Sequence, residues 1–225
     1  MANRPGPPEG DPRMQLRTVL FDLDGTLVDH FAAIHRAHAH TMKTLGRPEP
    51  TYAQVRAAVG GGLETAIARL AGPENVAAAL AIYRPYWDAT MLDDVHLLPG
   101  ARELLAGLRQ RGVKTAVFTN KHGPSSRRIC DHLGLAGLLD GNFGATDTQW
   151  LKPDPAFAHH ALHALGAEAA TTGLVGDSPY DLAAARNAGL EFYGVTTGTH
   201  TAEELRAAGA DKIYSGLPAL GPVLL

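Results

Sequence analysis

A chain of 225 residues, 45% of them hydrophobic, is long enough for one large domain or for a domain carrying a smaller insert. It holds no uninterrupted apolar stretch near the roughly twenty residues that cross a membrane, and its net charge of −3 provides no basic surface for nucleic acid. Cys130 is the only cysteine, so an intrachain disulfide is excluded and a reducing, cytoplasmic setting is the expectation.

Residues 1–13 carry Pro5, Pro7, Pro8 and Pro12 with Gly6 and Gly10, a composition that builds neither helix nor ladder and reads as a disordered tail. No basic, apolar and cleavable succession makes it a secretory signal, and order is expected to begin near Met14. Val19 to Phe21 are then apolar whichever way the pleat points, as in a central parallel strand buried on both faces. That run delivers Asp22 and Asp24, and Gly25 lets the chain turn. Two residues apart on an extended chain, the carboxylates share a face and repel unless a cation intervenes. A hard divalent ion such as Mg2+ meets that need. A calcium loop of the EF-hand kind does not fit, because the glycine comes at the fourth loop position and Ala33 stands at the twelfth.

From Asp29 to about His96 the pattern becomes helical, over Phe31 to Leu45, Tyr52 to Val59, Leu63 to Leu70 and Glu74 to Met91. This is too long for an ordinary connection between strands. Residues 29–96 therefore read as an inserted helical cap beside the carboxyl end of the first strand, with 14–28 and 97–225 forming the core domain. After a helix from Pro99 and Gly100 to Gln110, strands and helices alternate with short links. The strands are expected at Lys114 to Phe118, Asn142 to Ala145, Gly173 to Val175, Phe192 to Val195 and Lys212 to Tyr214. Between them come helices at Pro124 to Leu133, Pro155 to Leu165, Pro179 to Ala188 and Ala202 to Ala208. The class is α/β, a Rossmann-like doubly wound parallel sheet with an inserted α-helical cap. In such sheets ligands bind beyond the carboxyl ends of the strands, where Asp22, Thr119 and Asp177 all fall. Lys152 lies in a loop before a helix and has to reach in.

Four segments end an apolar run in polar residues: Phe21-Asp22-Leu23-Asp24-Gly25-Thr26, Phe118-Thr119-Asn120-Lys121, Leu151-Lys152-Pro153-Asp154 and Gly176-Asp177-Ser178-Pro179-Tyr180-Asp181. In this order, over almost the whole chain, they resemble the four motifs of the haloacid dehalogenase-like hydrolases, and within them the phosphoglycolate phosphatase group. The resemblance implies a Mg2+-dependent phosphatase that hydrolyses a small phosphate monoester, phosphoglycolate-like or a sugar phosphate, through an aspartyl-phosphate. It makes Asp22 the nucleophile, and the Asp24 side chain the acid and base that serves leaving group and water. Asp22, the Asp24 carbonyl and Asp177 would hold the metal, while Thr119, the Asn120 amide and Lys152 would bind the phosphoryl oxygens. Asp181 and Ser178 stand behind these groups, Asp181 orienting Lys152 or a metal-bound water. The implied partner is a small phosphorylated metabolite.

Gly60-Gly61-Gly62 and Leu63 fall between two cap helices, where relatives carry a substrate-facing loop; a plain interhelical turn is the competing reading. His30 stands where many close relatives have Ser, which marks it as a cap-hinge or substrate contact. The Arg that phosphomutases of the β-phosphoglucomutase type place in the cap loop is missing, with Leu63 near its position, so that isomerase is the second reading. A phospho-accepting signalling module is more remote, since it needs neither Asp24 nor a helical insert. His35, His38 and His40, like His159, His160 and His163, lack the Glu of a zinc helix and read as solvated faces. Tyr83, Tyr86 and Trp87 have the spacing of a cap core, and Cys130 that of a packed thiol.

Overall fold

The computed structural model describes residues 16–225; the tail expected over 1–13 and the onset of order near Met14 lie outside them. The chain opens with strands β1 (Thr18–Phe21) and β2 (Val28–Asp29) and runs through helices α1 (Phe31–Thr44), α2 (Tyr52–Ala58), α3 (Leu63–Ala71) and α4 (Val76–Thr90). It continues with β3 (His96–Leu97), α5 (Ala101–Gln110), β4 (Lys114–His122), α6 (Gly123–His132), β5 (Gly141–Ala145) and α7 (Pro155–Leu165). It ends with β6 (Thr172–Gly176), α8 (Pro179–Ala188), β7 (Glu191–Val195), α9 (Ala202–Ala207), β8 (Ile213–Tyr214) and α10 (Leu217–Leu224).

Six of these strands form one parallel sheet in the order β5-β4-β1-β6-β7-β8. Side chains alternate across the pleat and build two cores. Val19, Phe21, Val117 and Val175 face one side, covered by Leu104, Leu105, Leu108, Ile129 and Leu217. Leu20, Ala116, Phe118 and Leu174 face the other, under Phe157, Ala161, Leu182 and Ala185. Both faces being dry explains why β1 reads as a continuous apolar run. The winding leaves β1 toward β4 and β5, then returns to place β6 on the opposite side of β1. The crevice of a doubly wound sheet therefore opens between the carboxyl ends of β1 and β6.

Helices α1 to α4 pack on one another in sequence, α1 also against α4. The chain enters and leaves this group side by side, because β2 and β3 pair antiparallel, Val28 opposite Leu97 and Asp29 opposite His96. The sequence pattern missed that ladder, since two-residue strands carry no readable period. It also missed α10, in which Pro218 sits in the first turn and Pro222 near the end. On α1, His38 is buried, against the solvated face expected for it, while His40 is exposed and stacks on Tyr86 at 4.0 Å. His159, His160 and His163 are exposed as expected. Cys130 is buried, and that burial pushes its thiol up to about 12, which removes it from nucleophilic chemistry.

Leu20 is 0% exposed between β4 and β6. Replacing it with Ala should lower the free energy of unfolding by about 2–5 kcal/mol, as for other large-to-small core changes. Urea denaturation at unchanged slope would measure this, and a loss below about 1 kcal/mol would contradict the two-sided core.

Candidate active site

Phe21, at the end of β1, lies opposite Val117 of β4 and Val175 of β6, and β4 runs on to His122, beyond the Phe118 expected for its end. The Asp22 amide still donates to Val175 O at 2.9 Å, which fixes the first carboxylate at the sheet edge. Gly25 then turns the chain with φ of 87°, a conformation costly for a residue with a Cβ. A Cβ there would also come within 2.6 Å of the Gly198 Cα.

Asp22, Asp177 and Asp181 each bring a carboxylate oxygen within 4.8 Å of the others, and all three are buried. Lys152 reaches them from the loop before α7. Its Nζ donates to Asp22 Oδ1 at 2.7 Å, Asp181 Oδ1 at 2.6 Å and Phe118 O at 2.9 Å. Burial opposes its charge, but the Asp181 and Asp22 carboxylates hold its ammonium above the ordinary lysine range. One ammonium does not balance three carboxylates. Burial therefore pushes Asp22 up to about 6 against the pull of Lys152, and burial with the Asp22 charge pushes Asp177 up to about 8.

Asp181 serves two ends of the site. Its Oδ2 accepts from the Ser178 amide at 3.1 Å and hydroxyl at 2.6 Å, closing a capping box at the start of α8, while its Oδ1 takes Lys152. Both of its oxygens are thus occupied. Asp177 Oδ2 accepts from the Thr199 amide at 2.6 Å and hydroxyl at 2.8 Å. Among the described residues, Asp22 Oδ2 has no hydrogen bond and Asp177 Oδ1 only a 3.5 Å contact from the Thr26 hydroxyl. These two hard, anionic oxygens fit a divalent cation, and their raised proton affinity registers the missing positive charge.

Asp24 lies apart from that cluster in its bonding. Lys121 Nζ donates to both its oxygens, at 2.8 and 3.1 Å, and lies 4.5 Å from the Trp87 ring centroid. His30 Nδ1 lies 3.4 Å from Asp24 Oδ1, while its Nε2 meets Met91 O at 2.6 Å. Burial works against the Asp24 charge, yet Lys121 and His30 hold its carboxyl well below the usual range. His30, expected as a hinge or substrate contact, is fully buried behind Asp24 and is not among the residues that line the cavity.

Thr119 and Asn120 are the last two residues of β4's buried run and line the cavity. The Asn120 side chain ties three segments, since its Nδ2 donates to Gly60 O at 2.9 Å and Lys152 O at 3.0 Å and its Oδ1 accepts from the Lys152 amide at 2.7 Å. Gly60, Gly62 and Leu63 line the same cavity, whereas Gly61 packs under Tyr180, whose hydroxyl would sit 2.7 Å from a Cβ there. Tyr83 and Trp87, expected as core, are buried and line it as well. The cavity measures about 150 Å³ and brings together Asp22, Asp24, Thr119, Asn120, Lys152, Asp177 and Ser178. Sequence reasoning missed Lys121, Thr199 and Gly198. Lys121 was visible beside Thr119 and Asn120, whereas the loop after β7 carries no spacing that points at Asp177.

Two outcomes follow from this charge arrangement. Asp22 and Asp177 are both shifted upward, so their contribution to stability is fullest below the unfolded value of about 4 and is lost as pH rises through about 6 and about 8. Mg2+ should therefore raise Tm more at pH 8.5 than at pH 5, approximately, and Asp177→Asn should flatten both the pH trend and the Mg2+ gain. Equal gains in wild type and variant, by differential scanning fluorimetry, would contradict the assignment. Gly198→Ala should weaken Mg2+ binding, because a Cβ would lie 1.9 Å from Asp177 Oδ2; unchanged calorimetric affinity would contradict that contact.

Residues 19–195 match the family described as haloacid dehalogenase-like hydrolase. The chain is 38% identical over 196 residues to the probable phosphatase IndB of Dickeya dadantii, covering 84% of this chain and 85% of that one. It is 31% identical over 222 residues to the phosphoglycolate phosphatase of Vibrio cholerae, covering 93% and 97%. The fold is similar to the crystal structure of a predicted phosphatase from Clostridium acetobutylicum, with TM-score 0.86 and 27% identity over 93% and 98% of the two chains. The chain belongs to the haloacid dehalogenase-like hydrolase family, in its phosphoglycolate phosphatase-like group.

Proposed function

We propose that the chain is a Mg2+-dependent phosphatase that hydrolyses a small-molecule phosphate monoester through an aspartyl-phosphate on Asp22. The observation that carries this reading is the division of labour between two neighbouring carboxylates. Asp22 lies in an under-neutralised cluster with Asp177 and Lys152, and Asp24 is held by Lys121 outside it. Asp22 and Asp177, with the Asp24 carbonyl, would hold Mg2+. The ion supplies charge neutralisation where an anionic phosphoryl group meets an anionic nucleophile.

The protein's own groups divide two displacements at phosphorus. In the first, an Asp22 oxygen forms a bond to phosphorus, the ester P–O bond breaks, and Asp24 gives its proton to the departing alkoxide. In the second, water attacks phosphorus, Asp24 takes a proton from it, and the bond to Asp22 breaks to release phosphate. Thr119, the Asn120 amide and Lys152 bind the transferring oxygens. Pairing with Lys121 presents Asp24 as a carboxylate, the form the second step needs. A phosphate dianion that draws Lys121 toward itself is what lets the proton on for the first. Ser178 keeps Asp181 aimed at Lys152.

Residues 29–96 act as a cap over a core of 14–28 and 97–225. The bond from Asn120 to Gly60 and the packing of Tyr180 on Gly60 and Gly61 support this division, because they join the insert to the motif loops. A closed cap excludes water during transfer and favours small metabolites over phosphoproteins. A phosphomutase would need a cation for a second phosphate, where Leu63 stands.

Asp22→Asn should abolish phosphoryl transfer. Asp24→Asn should retain Mg2+ binding and lose about 10²–10⁴-fold in kcat on an unactivated alkyl phosphate, the usual share of acid–base catalysis. EDTA should silence the wild type and Mg2+ restore it. Steady-state phosphate release measures all three, and wild-type rates in Asp24→Asn or in chelated enzyme would overturn the assignment.

A further inference from the structure

The wall of the cavity opposite the phosphoryl site is formed by α1, α3 and α4, and its composition bears on what the phosphate is attached to. Ile34, Val59, Leu63, Tyr83 and Trp87 give it an apolar lining. His38 is 1% exposed in that wall, its ring 4.8 Å from the Tyr83 ring, and its Nδ1 is buried with no hydrogen-bond partner. A buried polar nitrogen left unpaired is costly, and one that borders a ligand cavity is satisfied when the ligand brings the partner. Burial, with His35 nearby, pushes the His38 imidazole down to about 4, so it meets a ligand as a neutral ring.

Charge narrows the choice further. Five carboxylates line the cavity, Asp22, Asp24, Glu64, Asp88 and Asp177, against three permanent cations. Lys152 and Lys121 pair with Asp22 and Asp24, and both are already drawn on by the phosphoryl group. Arg84 is an exposed rim group 3.1 Å from Glu64, an interaction of little strength, and Asp88 has Arg128 at 3.9 Å. His122 has its Nδ1 on Ser125 Oγ at 3.0 Å, and burial lowers its affinity for a proton. No buried cation among the lining residues is left for a second anionic group on the substrate.

We propose that the wall formed by His38, Tyr83 and Leu63 is a leaving-group subsite for an uncharged, hydroxyl-bearing alcohol, with the His38 imidazole pairing with that hydroxyl. A hydroxyl both donates and accepts, so it satisfies either His38 tautomer and adds no charge. A carboxylate in its place would find no buried cation left to pair with. This rests on the phosphatase reading, and it turns the preference away from phosphoglycolate, the substrate in the names of several relatives.

The test compares kcat/KM with Mg2+ for 2-hydroxyethyl phosphate, ethyl phosphate and 2-phosphoglycolate, which differ only at the group facing His38, with acetyl phosphate as a small activated donor. Wild type should prefer 2-hydroxyethyl phosphate to each of the other two esters by about tenfold, the worth of one hydrogen bond. His38→Phe keeps the ring against Tyr83 and should bring the ratio of 2-hydroxyethyl to ethyl phosphate near one. His38→Asn, which restores a hydrogen-bonding group, should recover part of it. Leu63→Arg installs the missing cation, and should raise 2-phosphoglycolate relative to 2-hydroxyethyl phosphate by about tenfold, independently of whether the His38 variants fold. A wild-type preference for 2-phosphoglycolate, or an unchanged ratio in a folded His38→Phe, overturns the subsite. Turnover of acetyl phosphate without these preferences leaves the phosphatase reading standing and removes the subsite alone, whereas silence on every donor removes both.

Discussion

Lys152 is a single buried ammonium facing Asp22, Asp177 and Asp181, and the site's chemistry depends on that imbalance. Burying three carboxylates beside one lysine is unfavourable unless further positive charge arrives, and the proton is the first to answer, as the upward shifts of Asp22 and Asp177 record. A divalent ion answers better, because it neutralises the pair without consuming the nucleophile. Lys152 meanwhile keeps the Asp22 carboxylate oriented through one oxygen and leaves the other open. Asp181, saturated by Lys152 and Ser178, is an anchor for the lysine.

The same economy separates Asp24 from Asp22. Two residues of chain bring them to the same strand end, and Gly25 turns sharply just beyond. Lys121, extending from β4 beside Trp87, then gives Asp24 a partner of its own. Identical side chains acquire opposite proton affinities because one is surrounded by carboxylates and the other by a lysine and a histidine. His30 extends this link into the helical insert, since its second nitrogen rests on the Met91 carbonyl at the end of α4. Asn120 makes the corresponding link from the phosphoryl side to Gly60. The insert is thus in contact with both halves of the site.

Much of this was legible in the sequence for a simple reason. Strands buried on both faces are apolar runs, so polar residues at their ends stand out, and Asp22, Thr119 and Asp177 follow such runs. Helices α7 and α8 were legible through Asp154-Pro155 and Ser178-Pro179, a cap before a proline in the first turn. What escaped has no local period. Thr199 and Gly198 belong to a loop held by tertiary contacts, with Asp177 some twenty residues earlier in sequence and with Arg56 and Gly25 farther back still. His38 escaped because its residue type was weighed above its position. It sits four residues after Ile34 and seven after Phe31, on α1's buried stripe, and the helical period alone would have placed it inside.

The central claim is that Asp22, and no other group, carries the phosphoryl between donor and water. Acid quench of the enzyme during turnover with a labelled phosphate donor, followed by peptide mapping, tests it directly. The account predicts an acid-stable, hydroxylamine-sensitive label on the peptide containing Asp22, and none in Asp22→Asn. Label on another residue, or burst-free turnover in Asp22→Asn at the wild-type rate, would contradict it.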